Sequence, residues 1–272
     1  MVNSFNMFLR HAFHLNSARN SVLDQLGVKN NCDKSSVNRK SEKAAPDKPG
    51  HDYLRKYEIF LKDYVCDEDF SMLELGAGPD WNIGASLKIW NEYFPVAKSI
   101  VVADIKESAK SLEGMGEKIK VVVGDLEDKE ILARLDGNYD FIIDDASHCW
   151  SHQINSFNYL FDSLKPGGLY IIEDIHTSFG KSRKSYNGIT EEIRLKNPEK
   201  LDAFAYFSLM SAYVAGSWQY HPFFNQLLNT IGVGLYDSKI ANLLMVQCKE
   251  LSRKIASVAF IKHSCLIVKD CN

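Results

Sequence analysis

From Tyr53 onward, short apolar runs alternate with amphipathic stretches. The runs cover residues 71–74, 100–104, 119–125, 141–145 and 169–174. Apolar residues fill them almost continuously rather than at every second place, the pattern of strands buried on both faces of a parallel sheet. Between the runs, Ile83, Leu87, Trp90 and Phe94 fall on one helical stripe. Ile154, Phe157, Phe161 and Leu164 form another, closed by Lys165-Pro166-Gly167-Gly168. Two final runs, 257–261 and 265–268, flank Lys262-His263-Ser264 and predict an antiparallel hairpin. The pattern predicts an α/β fold: a mostly parallel, Rossmann-like sheet with helices on both faces and a C-terminal antiparallel hairpin.

The rest of the chain has a different texture. Residues 1–28 form an amphipathic N-terminal segment in which Phe5, Phe8, Leu9, Ala12 and Phe13 recur at helical spacing. Arg10 and Arg19 precede the first acid, Asp24, so the segment reads as a docking or oligomerisation helix or, second, as an organelle-targeting peptide. Residues 29–50 are polar and read as a flexible linker, which leaves 51–272 as the main domain. Within it, 179–251 is too long for an ordinary crossover and rich in aromatics, as expected of a helical insertion that contributes to an acceptor region.

Composition narrows the partners. The chain has 272 residues and a net charge of −3, from 32 basic and 35 acidic side chains. That balance argues against a protein that holds nucleic acid by neutralising phosphates. No apolar run approaches the roughly 18–20 residues of a membrane span. The six cysteines are scattered without a C-x-x-C pair, which argues against a disulfide scaffold or a thiolate zinc site and suits a reducing, cytoplasmic setting.

The predicted strands end in carboxylates: Glu74, Asp104, Asp125, Asp145 and the pair Glu173-Asp174. Ligands of open α/β sheets bind outside the carboxyl ends of the strands. After Glu74, Gly76 and Gly78 permit a tight turn and close backbone approach. Trp81 stands where a dinucleotide fingerprint needs its third glycine, which counts against NAD. An acid before the turn suits a cationic ligand, Asp104 is placed for a ribose diol, and Asp125 for an adenine amino group. Together they describe a positively charged, adenosine-bearing cofactor.

At these residues the chain resembles the class I S-adenosylmethionine-dependent methyltransferases, over roughly 53–270. Three segments narrow the likeness: Gly84 to Trp90 followed by Tyr93-Phe94-Pro95, then Ile143-Asp144-Asp145-Ala146-Ser147-His148, then Pro166 to Asp174. They look like the metal-dependent macrolide sugar O-methyltransferases of the mycinamicin and macrocin type, with Ala146 in place of a usual glycine. The resemblance implies S-adenosylmethionine and Mg²⁺ as cofactors. It implies Asp145, Glu173 and Asp174 as metal ligands, His148 as general base, and Ser86 and Asp144 beside Glu74, Gly76, Gly78, Asp104 and Asp125 at the cofactor. It further implies a small hydroxylated acceptor, a sugar or glycosylated natural product, and leaves homo-oligomerisation open.

The residues support the metal independently. Neighbouring strands lie about 4.8 Å apart, so acids at adjacent strand ends can share one ion. Carboxylates without a soft ligand favour a hard cation. His148 precedes a predicted helix that would anchor it, with His152 and His176 as rival bases. The alternatives are an oxidative enzyme of the cephalosporin hydroxylase-like group and a metal-independent methyltransferase acting on nitrogen or protein.

Overall fold

The computed structural model describes residues 21–38, 48–179, 202–216 and 246–271. The amphipathic pattern at 1–20 and most of the 179–251 insertion lie outside the described residues. The chain divides into two compact units. One holds the described residues up to Phe70 with Ala77–Val102 and Ser108–Val121; the other holds Ser71–Gly76, Ala103–Glu107 and the described residues from Val122 onward.

Seven strands form one mixed sheet: β3 (Ser71–Leu75), β4 (Ser99–Asp104), β5 (Ile119–Val123), β6 (Tyr139–Asp144), β7 (Leu164–Ile172), β8 (Ile255–Ile261) and β9 (Ser264–Lys269). Their order is β5-β4-β3-β6-β7-β9-β8. Pairs β3–β6 and β6–β7 are parallel; β7–β9 and β8–β9 are antiparallel, as the terminal hairpin predicted. After β5 the chain returns to the other side of β3, so the order reverses between β3 and β6. Such a switch point opens a crevice at the carboxyl ends of the strands, where ligands of this architecture sit.

In the first unit, α1 (Val22–Lys29) begins at Ser21, whose Oγ accepts from Asp24 N at 3.0 Å. The expected linker at 29–50 contains packed residues: Cys32, Lys34 and Ser35 are buried, and β1 (Val37–Asn38) pairs with β2 (Lys48–Pro49). Asp24 accepts from Ser36 N at 2.7 Å and Ser36 Oγ at 2.6 Å. Polar side chains that satisfy one another here give the same composition as a solvated tether. Helix α2 (Leu54–Leu61) brings Glu58 to Leu23 N and Tyr93 Oη, at 3.2 and 3.1 Å. Helix α3 (Ala85–Tyr93) follows left-handed Gly84, and Lys118 Nζ donates to the carbonyls of Asn91, Phe94 and Pro95 beyond its end.

In the second unit, α4 (Lys129–Arg134) is capped by Asp128, and α5 (Trp150–Leu160) carries the second predicted stripe. Phe157, fully buried, lies with its ring centroid 5.1 Å from Phe161, 5.1 Å from Tyr170 on β7 and 5.2 Å from Phe207. Phe207 belongs to α6 (Ala203–Ala215), a helix within the insertion. The Lys165–Gly168 turn read from the sequence lies within β7. There the register jumps, Tyr139 facing Leu164 and Phe141 facing Leu169, so the Pro166-Gly167-Gly168 stretch bulges out with Gly167 at φ +78°. Residues 246–252 are helical as well. Among the described residues, no helix is long and apolar enough to cross a membrane.

Because Phe157 ties α5 to both β7 and α6, Phe157→Ala leaves a cavity where three rings meet. Denaturant unfolding should show a loss of about 3–5 kcal/mol. A loss below 1 kcal/mol would mean that α5 is held elsewhere.

Candidate active site

The site is built at the carboxyl ends of β3, β6 and β7. Asp145 N donates to Leu75 O at 2.8 Å and Glu173 N to Asp144 O at 2.9 Å, so the three strand ends are stitched together by backbone bonds. Gly76 has φ +97°, and a Cβ there would run into the carbonyl oxygen of Asp145. The glycine is thus required by the crossing of two loops, a different reason from the ligand approach expected of it.

Beyond this stitching, Asp145, His148 and Asp174 bring ligand atoms within 4.8 Å of one another. His148 Nε2 lies 3.4 Å from Asp174 Oδ2 and 3.8 Å from Asp145 Oδ1. Each of the three side chains stays partly open to solvent, 12–21% exposed, so a ligand can reach them. Among the described residues five non-glycine residues have positive φ, and two of them are His148 (+57°) and Asp174 (+54°). Left-handed backbone costs such residues on the order of 1 kcal/mol or more and tends to persist where surrounding contacts and function demand it. Part of the holding is visible: Thr177 Oγ1 donates to the His148 carbonyl at 3.3 Å. Ile175 N donates to His263 O at 2.8 Å, which anchors the Asp174 loop to the tip of the terminal hairpin.

Glu173 is placed differently from its neighbour. It is buried, it does not join the three-residue cluster, and its carbonyl accepts from Gln153 Nε2 at 2.8 Å. His176 lies on the other side of Asp174, with Nδ1 3.7 Å from Asp174 Oδ1 and its ring 4.5 Å from that of His263. His152 is engaged by Glu127 and Ser147. Thr177 and Gln153 carry no chemical signal in the sequence; only the fold shows that they hold His148 and Glu173.

The residues expected at the cofactor divide between the two units. In the second, Glu74 is fully buried on β3, Asp104 closes β4 with its Oδ1 accepting from Lys106 N at 2.8 Å, and Asp125 is exposed with its Oδ1 accepting from Glu127 N at 2.9 Å. In the first, Gly78 has φ +92° and Ser86 is buried at the start of α3. Asp144 is the most constrained. It is 2% exposed, Oδ1 accepts from Ala146 N at 3.3 Å, and Oδ2 has no hydrogen-bond partner among the described residues. Burial pushes its carboxyl up to about 6, against the opposing pull of the Ala146 amide and the His148 and His152 imidazoles. An orphaned, buried carboxylate oxygen at the switch point is what a donor-bearing ligand would satisfy.

The raised Asp144 carboxyl has a consequence for stability. Protonation favours the folded chain, so this contribution is full below the unfolded value near 3.9 and is lost as pH rises through about 6. Asp144→Asn carries no charge to bury. In urea titrations of the ligand-free protein it should exceed wild type by about 2–3 kcal/mol at pH 8, with the gap closing by pH 4. A gap independent of pH would contradict an ionised, buried Asp144.

Comparison with known proteins starts from a negative: no family model matches the chain. Over 136 residues, 47% of this chain, it is 36% identical to mycinamicin VI 2''-O-methyltransferase of Micromonospora griseorubida. It is 35% identical over 136 residues to demethylmacrocin O-methyltransferase of Streptomyces fradiae. Each alignment covers 33% of the relative, so the chain spans about a third of the length of the curated relatives it matches. Among solved structures, the MycE methyltransferase of the mycinamycin pathway, in complex with Mg, SAH and mycinamycin VI, superposes with a TM-score of 0.62 at 20% identity. That match covers 93% of this chain and 56% of the other. The chain therefore has the Rossmann-like fold of that methyltransferase, and nearly half of it is similar in sequence to macrolide sugar O-methyltransferases.

Proposed function

We propose that the chain is an S-adenosylmethionine-dependent, Mg²⁺-assisted O-methyltransferase acting on a hydroxyl of a sugar or glycosylated natural product. The observation that carries the reading is the Asp145–His148–Asp174 cluster at the switch-point edge of the sheet, on a fold shared with a methyltransferase. The donor set fits a hard divalent cation: carboxylate oxygens dominate, and no thiolate belongs to the cluster. Asp145 and Asp174 would hold Mg²⁺; Glu173, proposed from the sequence as the third acid, is buried next to Asp174 in the chain and would have to turn toward them to join. The orphaned Asp144 oxygen, Glu74 and Asp104 would line the S-adenosylmethionine site with Gly76 and Asp125, and Gly78 and Ser86 belong to the same proposed set.

When bound, Mg²⁺ supplies Lewis-acid stabilisation of charge on the acceptor oxygen, and S-adenosylmethionine supplies the methyl group from its sulfonium carbon. The residues of the chain do the rest. Asp145 and Asp174, whose carboxylates lie beside His148, would hold the ion where it can orient the hydroxyl toward Nε2. His148 takes the hydroxyl proton at Nε2 as the oxygen–carbon bond forms and the carbon–sulfur bond breaks. The left-handed His148 backbone, held through Thr177, keeps that nitrogen aimed at the acids. The products are a methyl ether and S-adenosylhomocysteine. A cluster of acids repels polyanions, which supports an uncharged hydroxylated acceptor rather than a nucleic acid.

Two outcomes test this reading. With a panel of hydroxylated glycosides and labelled S-adenosylmethionine, transfer should stop in EDTA and return with Mg²⁺. Turnover in EDTA would point to a metal-independent methyltransferase, and a requirement for oxygen and a reductant would point to the oxidative alternative. Separately, His148→Ala should lower kcat by roughly 10²–10⁴-fold, the reach of general-base catalysis, with S-adenosylhomocysteine affinity unchanged. Wild-type kcat in that variant would remove His148 from the chemistry.

A further inference from the structure

Three side chains outside the acid cluster form a continuous hydrogen-bonded chain. Ser147 Oγ lies 2.8 Å from His152 Nδ1, and His152 Nε2 lies 2.7 Å from Glu127 Oε1. At the near end, Cys149 N donates to Ser147 Oγ at 3.2 Å. At the far end, Glu127 N donates to Asp125 Oδ1, and the neighbouring Asp128 caps α4. One tautomer satisfies every group in turn. The Cys149 amide donates to Ser147 Oγ, the Ser147 hydroxyl donates to Nδ1, and the Nε2 proton goes to the Glu127 carboxylate.

A serine, an imidazole and a carboxylate in line could be taken for an activated nucleophile. The surroundings argue otherwise. Ser147 lies between Asp145 and His148 in the chain, so negative charge developing on a substrate oxygen there would form beside the acid cluster, which opposes it. Both ring nitrogens of His152 are also engaged, which separates it from the role of base toward an acceptor.

We infer that Glu127, His152 and Ser147 form a clasp that pins the β6–α5 loop, residues 145–149, to the loop that follows β5. His152 and Glu127 are then positioning residues. They touch no reacting group; they hold the loop that carries Asp145 and left-handed His148. The need for such a hold is physical. The loop carries Asp145, which meets the like charge of Asp174 from the loop after β7, and one residue in a costly backbone conformation, and the cluster forms only if other contacts fix it. The clasp also joins the loop of Asp125 to the loop of Asp145. Its effect on metal affinity rests on the proposed function; its effect on loop order does not.

The test uses the full chain without ligands. Amide hydrogen exchange measured by mass spectrometry should show protection of 145–149 falling about 10-fold in His152→Ala and in Glu127→Gln, with β3 and the Phe157 turn of α5 unchanged. His152→Gln, whose amide can donate to Glu127 and accept from Ser147, should recover part of that protection. Unchanged exchange at 145–149 in both loss variants overturns the clasp. Mn²⁺ binding, read by electron paramagnetic resonance, should weaken roughly 10-fold in His152→Ala, in the range seen when groups supporting metal ligands are removed. Equal Mn²⁺ affinity in wild type and variant overturns the positioning role. Faster exchange in the variants, with no Mn²⁺ binding by wild type, supports the clasp and overturns the metal reading instead.

Discussion

The structure depends on holding like charges together at one edge of a sheet. Asp145 and Asp174 approach a single imidazole from two strand ends, with buried Asp144 immediately behind Asp145. Carboxylates so placed repel one another, and burial adds a desolvation cost that pushes Asp144 up to about 6. Folding alone gains nothing from the arrangement. The neighbouring features read as compensation: backbone bonds from Asp145 to Leu75 and from Glu173 to Asp144, a glycine where two loops cross, and an imidazole between the acids.

The same constraint explains where the backbone departs from ordinary geometry. His148 and Asp174 both take left-handed conformations, and both lie in loops tethered from outside. Thr177 holds the first by its carbonyl, and the hairpin tip at His263 holds the second through Ile175. Phe157 anchors α5 against β7 and α6, which fixes the helix that follows the His148 loop. Strain at the site is thus borne by apolar packing and by hydrogen bonds a few residues away.

Much of this was legible in the sequence. Continuous apolar runs marked the central strands because strands covered on both faces carry no alternation, and the acids that end them were visible one by one. The hairpin was legible for a similar reason, from two runs around a short turn. What escaped depends on pairing at a distance. Gly76 is needed because Asp145 passes over it, a contact between residues far apart in the chain. Glu173 and Asp174 are adjacent and chemically alike, yet the Asp174 carboxylate reaches the imidazole while Glu173, whose carbonyl accepts from Gln153, does not join the cluster. Glu127 showed no motif, since its partner His152 lies on the helix after the next strand. The packed residues of the expected linker were hidden because Asp24, Ser35 and Ser36 are polar whether they face water or one another. The Pro166-Gly167-Gly168 turn signal was sound locally, but it marks a bulge within β7 rather than a break before it.

If Asp145 and Asp174 together hold a cation, as proposed, the ion offsets the electrostatic cost of keeping them side by side. Thermal unfolding of wild type and Asp174→Asn at pH 8, with and without Mg²⁺, tests it most directly. Without Mg²⁺ the variant should melt higher than wild type, because one repelling charge is gone and asparagine tolerates the left-handed backbone. Mg²⁺ should raise the Tm of wild type but not of the variant, since only a folded site with both acids binds the ion. A variant that melts lower without the ion, or an equal Mg²⁺ response in both proteins, would contradict a shared cation site at Asp145 and Asp174.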